Sequence, residues 1–215
     1  MLTLAEEAIL LALDEETGVI TELPHYQTDT VLVAATLMEL ALSNRIDTDL
    51  ENLQVISVAP TGQPILDRIL ALLPQPGQTQ PLRLLLDRLA VEGAEIKQMA
   101  LANLVAVGIL KEENRRFLWV FKTRRYPMLD NREVVEVETR LRELVLGDDI
   151  PDPRDVVLVN LVNTWGLFDQ ILSPRELQRC RPRIHHLARL DLIGQQAAQS
   201  IQDIEQAMAS AQAPL

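Results

Sequence analysis

Aromatic side chains are scarce in this sequence: Phe, Trp and Tyr make up 3% of 215 residues, although 47% are hydrophobic. The core must therefore be built from Leu, Val, Ile and Ala, which favours helices over a β-sandwich. Cysteine is nearly absent. The single Cys180 can form neither an internal disulfide nor a Cys-based zinc site, so it is read as a small buried apolar residue in a reducing, cytoplasmic setting. The eight glycines are scattered, mostly as helix stops, and leave no phosphate-cradling loop. A nucleophile elbow and an HExxH pair are also lacking. His185 and His186 are adjacent, so on a helix they point about 100° apart and cannot share a metal. No enzyme activity and no cofactor are expected. No apolar run approaches the about 18 residues of a membrane span; the longest candidate, 31–42, contains Glu39. The first residues carry Glu6 and Glu7 where a secretory leader needs positive charge. Any membrane contact is therefore expected to be peripheral, at the cytosolic face.

Positive charge is in deficit, with 20 Lys and Arg against 31 Asp and Glu and a net charge of -11. Nucleic acid is not expected as a partner, because phosphate binding is driven by Lys and Arg releasing counterions. The bases that exist are unevenly placed, eleven of them in two windows. One holds Lys111, Arg115, Arg116, Lys122, Arg124 and Arg125, interleaved with Phe117, Leu118, Trp119, Phe121 and Tyr126. The other holds Arg175, Arg179, Arg181, Arg183 and Arg189. Cations around aromatic and aliphatic tips can meet an anionic membrane, each contributing on the order of 1 kcal/mol near the headgroups. The plainer reading of either window is a structural element with a solvated basic face. The acidic pairs Glu6 and Glu7, Glu112 and Glu113, and Asp148 and Asp149 are read as solvated charges at helix ends or turn tips.

The pattern predicts one mainly helical domain over residues 1–215 with two short β-hairpins, one of them protruding. Thr3 with Glu6 makes a capping box, and Gly18 supplies a stop. Residues 31–42 form a central buried helix. A short hairpin follows around Ile46 and 55–58, then a helix after Pro64 and a surface loop at 74–80. Helices at 81–91 and 94–107 lead, past Gly108, into a second hairpin whose apolar runs 109–111 and 117–121 are joined by 112–116. The order helix, Gly or Asn, strand, turn, strand occurs twice, a weak internal repeat. Asp130 with Glu133 caps another helix. Pro182 is expected to break or kink the Arg-rich helix that starts at Pro174. A last surface helix ends in a frayed tail at 211–215.

Several ordered motifs resemble one family. Leu2-Thr3-Leu4-Ala5-Glu6-Glu7, Glu39-Leu40-Ala41-Leu42 with Arg45-Ile46, Ala59-Pro60-Thr61-Gly62, Asn103-Leu104-Val105 with Gly108, and Pro151-Asp152-Pro153-Arg154 are similar to signatures of the Golgi phosphoprotein 3 family. The likeness covers about residues 2–170, and the opening at Leu2 resembles prokaryotic-type members. The resemblance implies a mostly helical domain, a hairpin used for self-association and membrane contact, and recognition of phosphatidylinositol 4-phosphate by one tryptophan and three arginines. Those four positions correspond here to Pro24, Val33, Ala94 and Lys97. Only Lys97 keeps the charge, and a lone ammonium lacks the bidentate geometry of Arg. Expected partners are therefore an anionic lipid and a second copy of the chain. One rival is a homo-oligomeric interaction scaffold without a lipid role; a winged-helix-like nucleic-acid binder over 81–125 is another, weakened because its recognition helix would carry Lys97 beside Glu95.

Overall fold

Thr3 opens the first helix in the computed structural model, which describes residues 2–14, 17–20, 25–49, 51–117, 121–148 and 150–211. The Thr3 hydroxyl accepts from the Glu6 amide and the Glu6 carboxylate accepts from the Thr3 amide at 2.7 Å, so the capping box is present. Helix α1 (Leu4–Leu11) buries every residue, Glu6 and Glu7 included. Helix α2 (His25–Leu42) begins earlier than its apolar run, and from Val31 to Leu40 only Glu39 escapes full burial.

Asn44, with φ 54°, turns the chain out of α2 into β1 (Ile46–Thr48), which pairs antiparallel with β2 (Asn52–Val55). The second strand lies earlier than the apolar run at 55–58 that predicts it, sharing only Val55 with it. The amides of Ile56 and Ser57 both donate to the Arg45 carbonyl, at 2.9 and 3.1 Å, and that convergence ends the ladder. Helix α3 (Pro64–Leu70) follows, started by Pro64 at its first turn. The stretch read as a surface loop at 74–80 is partly a strand. Gly77, at φ 81°, donates to the Val55 carbonyl at 2.8 Å and reverses the chain, so β3 (Thr79–Pro81) pairs with β2.

Helices α4 (Leu82–Leu89) and α5 (Gly93–Ala106) come next, joined by a 3-10 turn at Ala90–Glu92. Gly108, at φ 80°, then repeats the role of Asn44, and β4 (Glu113–Phe117) pairs antiparallel with β5 (Phe121–Arg125). The internal repeat is thus one of structure: helix, left-handed residue, hairpin. Its second turn is not at 112–116, because the Leu110–Met128 bridge and the Lys111 amide on the Pro127 carbonyl set the register, which centres the hairpin between 117 and 121.

Helix α6 (Arg132–Leu146) starts after Asn131 without a side-chain cap; Asp130 is occupied by Arg132 and does not cap with Glu133. Helix α7 (Pro153–Thr164) is capped by Asp152, and α8 (Phe168–Ile171) is a single turn. Helix α9 (Pro174–Ala188) runs through Pro182 unbroken, its inner face holding Cys180, Ile184 and Leu187 in the core. Pro182 forfeits one backbone bond, and apolar burial on that face outweighs it. Helix α10 (Leu192–Ala211) ends the described chain; the tail at 212–215 lies outside the described residues.

One core cluster extends from Leu4 to Ile201, and α2 packs against α1, α3, α4, α5, α7 and α10. That explains why α2 is apolar on nearly every side. No helix among the described residues is long and apolar enough to cross a membrane.

Candidate functional site

Among the described residues, the second hairpin is tied to the body by backbone hydrogen bonds at its base. The Tyr126 amide donates to the Gly18 carbonyl at 2.7 Å, Lys111 to Pro127 at 3.0 Å, and Leu129 to Ile109 at 2.8 Å. Gly18 is required there: its φ is 63°, and a Cβ would stand 2.6 Å from the Pro127 nitrogen. Beyond this collar, β4 and β5 pair with each other and pack extensively on no other element of the described fold. Arg115 is opposite Thr123, Arg116 opposite Lys122, Asn114 opposite Arg124 and Glu113 opposite Arg125. Two cations directly opposite, at 116 and 122, disfavour a two-stranded ribbon that is marginal by itself. Leu118 and Trp119 lie outside the described residues, and so do the side chains of Arg115, Arg116, Phe117, Lys122 and Arg124. At the base, Lys111 pairs with Glu113 at 3.2 Å, and the Arg125 Nε is buried without a hydrogen-bond partner.

Lys97 sits elsewhere, one turn into α5 where that helix crosses α2. The crossing is close because residue 93 is glycine; a Cβ there would stand 2.3 Å from the Asp29 Cα. Half-burial pushes the Lys97 ammonium down from its usual 10.5, and the Asp29 carboxylate pulls it back up. Burial outweighs that attraction, so the ammonium stays below its usual value. Ala94 is exposed, Val33 is 0% exposed in the core, and Pro24 lies outside the described residues. Nothing described at these positions adds a second donor for a phosphate.

The motif residues meet in a third place. Glu6 and Glu7 are 2% and 5% exposed, so they are not the solvated pair their position suggested. The Glu6 carboxylate accepts from Asn103 Nδ2 at 2.6 Å. Glu39 accepts from the Leu4 amide at 2.6 Å and from Arg154 Nη1 at 2.6 Å. Arg154 also donates to the Leu2 carbonyl at 2.8 Å and lies 3.4 Å from Glu7. Arg140 reaches Glu7 at 3.7 Å and Asp155 at 2.7 Å. Burial pushes the Glu7 carboxyl up, opposed by Arg154 and Arg140. Residues from four of the quoted motifs thus bind one another and lock α1, α2, α5, α6 and α7 together; their role is structural. Local patterning could not find this cluster, and the one available signal was that its members other than Arg140 and Asp155 fell inside the motifs.

Two further features were missed. Asp191 and Asn160 are buried together, Asn160 Nδ2 donating at 3.0 Å, with Asp191 also accepting from the Ile193 and Gly194 amides. An apolar groove of about 530 Å³ opens between α2, α7 and the start of α10. In the second basic window, Arg183 turns inward to the Leu144 carbonyl at 2.8 Å, while Arg175, Arg179, Arg181 and Arg189 are exposed. Among the described residues, no group of three or more His, Cys, Asp and Glu side chains is placed to hold a metal. A family model for Golgi phosphoprotein 3 (GPP34) matches residues 4–208. No curated protein matches the chain.

Proposed function

Because the chain belongs to the Golgi phosphoprotein 3 family, we propose that it is a non-enzymatic protein that associates peripherally with anionic membrane lipid through the β4–β5 hairpin. The phosphatidylinositol 4-phosphate pocket of the family is weakened here to the single Lys97. The observation that carries the reading is the hairpin itself, with five cations and one carboxylate in ten strand positions, tied among the described residues to the helical body through its base. At on the order of 1 kcal/mol per cation near headgroups, the four cations beyond Arg125 at the base are worth about 4 kcal/mol. Repulsion by the acidic body is screened beyond about 8 Å at physiological ionic strength, so a projecting basic element gains more than the body loses.

Flotation with vesicles tests this. The intact chain should float with phosphatidylserine-containing vesicles and not with phosphatidylcholine alone, and Arg115→Glu, Arg116→Glu, Arg124→Glu and Arg125→Glu together should abolish it. No binding by the wild type, or equal binding by the variant, refutes the hairpin as the contact. A titration across phosphoinositide headgroups should show no preference; a saturable preference lost in Lys97→Ala would show a working pocket.

A second reading has its own support. Both outer edges of the β4–β5 ribbon are unpaired among the described residues, which is a template for strand addition by a second copy. Light scattering should then show an oligomer that a hairpin-deleted chain loses, and a monomeric wild type excludes it.

A further inference from the structure

Outside the hairpin, six arginines are held in ion pairs, and those that are not concentrate on α9, with Arg45 and Arg88 as isolated exceptions among the described residues. Arg68, Arg83, Arg132, Arg140, Arg142 and Arg154 each hold a carboxylate. On α9 and its C-cap, Arg175, Arg179, Arg181 and Arg189 are exposed and take part in no ion pair among the described residues. In a chain with 31 acids for 20 bases, four unpaired guanidiniums on one helix and its C-cap are a concentration that no other described element outside the hairpin matches. The nearby Glu176 does not serve them, because it closes the Ser173 capping box and holds Arg142 at 2.7 Å.

At about 100° per residue, Arg175, Arg179, His186 and Arg189 fall in one stripe, which spans about 21 Å along the axis from first to last. Arg181 flanks the stripe and lines the cleft beside Asp169 and Leu177. The stripe is a straight ridge with no converging cup of donors, so it is suited to reading charge density over a flat surface and not the shape of one headgroup. Near its C-terminal end stand two of the most exposed apolar side chains, Leu190 at 56% and Ile150 at 96%, both on the rim of the groove beside α7. Cations along a helix with apolar side chains at its end match the interface of a bilayer. A nucleic acid would meet the same arginines, but the ridge carries no Phe, Tyr or Trp for bases to stack on.

We infer that α9 is a second bilayer-contact element, whose arginine ridge lies along an anionic phospholipid surface independently of the hairpin. The inference rests on the membrane reading above and uses none of its residues.

The test is the partition coefficient of the full chain on phosphatidylcholine vesicles with and without phosphatidylserine. Four forms are compared: wild type, the hairpin charge-reversal variant, Arg175→Gln with Arg179→Gln and Arg189→Gln, and the two sets combined. All three α9 sites are exposed, so the fold is not at stake. Each arginine should be worth about fivefold, and the α9 variant should bind roughly a hundredfold more weakly to the phosphatidylserine vesicles, an effect that added salt mimics. If the α9 variant matches wild type while the hairpin variant loses binding, the inference falls and the hairpin reading stands. The reverse pattern leaves α9 as the contact and removes the hairpin. Absence of wild-type binding removes both. Tighter saturable binding of wild type to duplex DNA than to the vesicles, at the same salt, would overturn the assignment to a bilayer.

Discussion

Removing the Arg154 side chain should cost far more than an ordinary surface substitution. Arg154→Ala loses the hydrogen bonds to Glu39 at 2.6 Å and to the Leu2 carbonyl at 2.8 Å, and the ion pair to Glu7 at 3.4 Å. Glu7 is then left 5% exposed with Arg140, 3.7 Å away, as its remaining cation. Breaking a buried pair from one side costs about 3–5 kcal/mol. Because the Arg154 side chain is 17% exposed, water recovers part of this, and a loss of about 3 kcal/mol is expected. In a chain of this size that lowers Tm by roughly 10 °C. Urea unfolding at neutral pH measures it. Arg154→Lys should recover less than half, since one ammonium cannot span two carboxylates and a carbonyl in the geometry of a guanidinium. A loss under about 1 kcal/mol, below the range for a buried pair, or full recovery by lysine, would show that the cluster is solvated and does not hold the helices together.

Two further outcomes are expected. Burial raises the Asp191 carboxyl from 3.8 to about 6, despite donation from the Gly194 and Ile193 amides and from Asn160. A carboxyl held above its unfolded value stabilises the fold below that unfolded value, and the stabilisation is lost as pH rises through the folded one. The window here is about pH 4 to 6 and the effect about 3 kcal/mol, so Asp191→Asn, which keeps an acceptor, should flatten stability over that window; an unchanged pH profile refutes it. Gly18→Ala, at φ 63° and with its new Cβ 2.6 Å from the Pro127 nitrogen, should destabilise by at least about 2 kcal/mol and deprotect the Tyr126 amide in hydrogen exchange. Gly108→Ala, at φ 80° but with nothing within 4 Å of the Cβ, should cost only about 1 kcal/mol and leave that amide protected.

What could be read from the chain was whatever is written within about one helical turn. The Thr3–Glu6 box, the helix end at Gly108 and the buried run from residue 31 are local statements and are present, although the run is buried only as far as Leu40, Leu42 being 40% exposed, and α1 ends at Leu11, well before the left-handed Gly18. What failed depended on distant partners. The β4–β5 register follows from a collar joining Gly18 to Tyr126 and Leu110 to Met128, so a charged stretch at 112–116 that resembles a turn becomes strand instead. Residues 79–81 became a strand because β2 offered them an edge. Adjacent acids at 6 and 7 in an acidic chain look solvated, and nothing local announces Arg154 and Arg140 as their partners. Lys97 was legible as a lone cation among the headgroup positions, whereas its neighbour Asp29 was visible only once α2 and α5 were crossed.

The two hairpins differ in what their borders permit. The first sheet is bounded by three-residue strands, one ending in Pro81, too short to accept another chain. The second is bounded by two five-residue strands without proline. Antiparallel joining of one such border to its copy creates a closed twofold pair carrying a continuous four-stranded ribbon. Such a pair would present twice the basic positions to one bilayer, so dimerisation and lipid contact would reinforce each other through avidity and would not compete for the same strands.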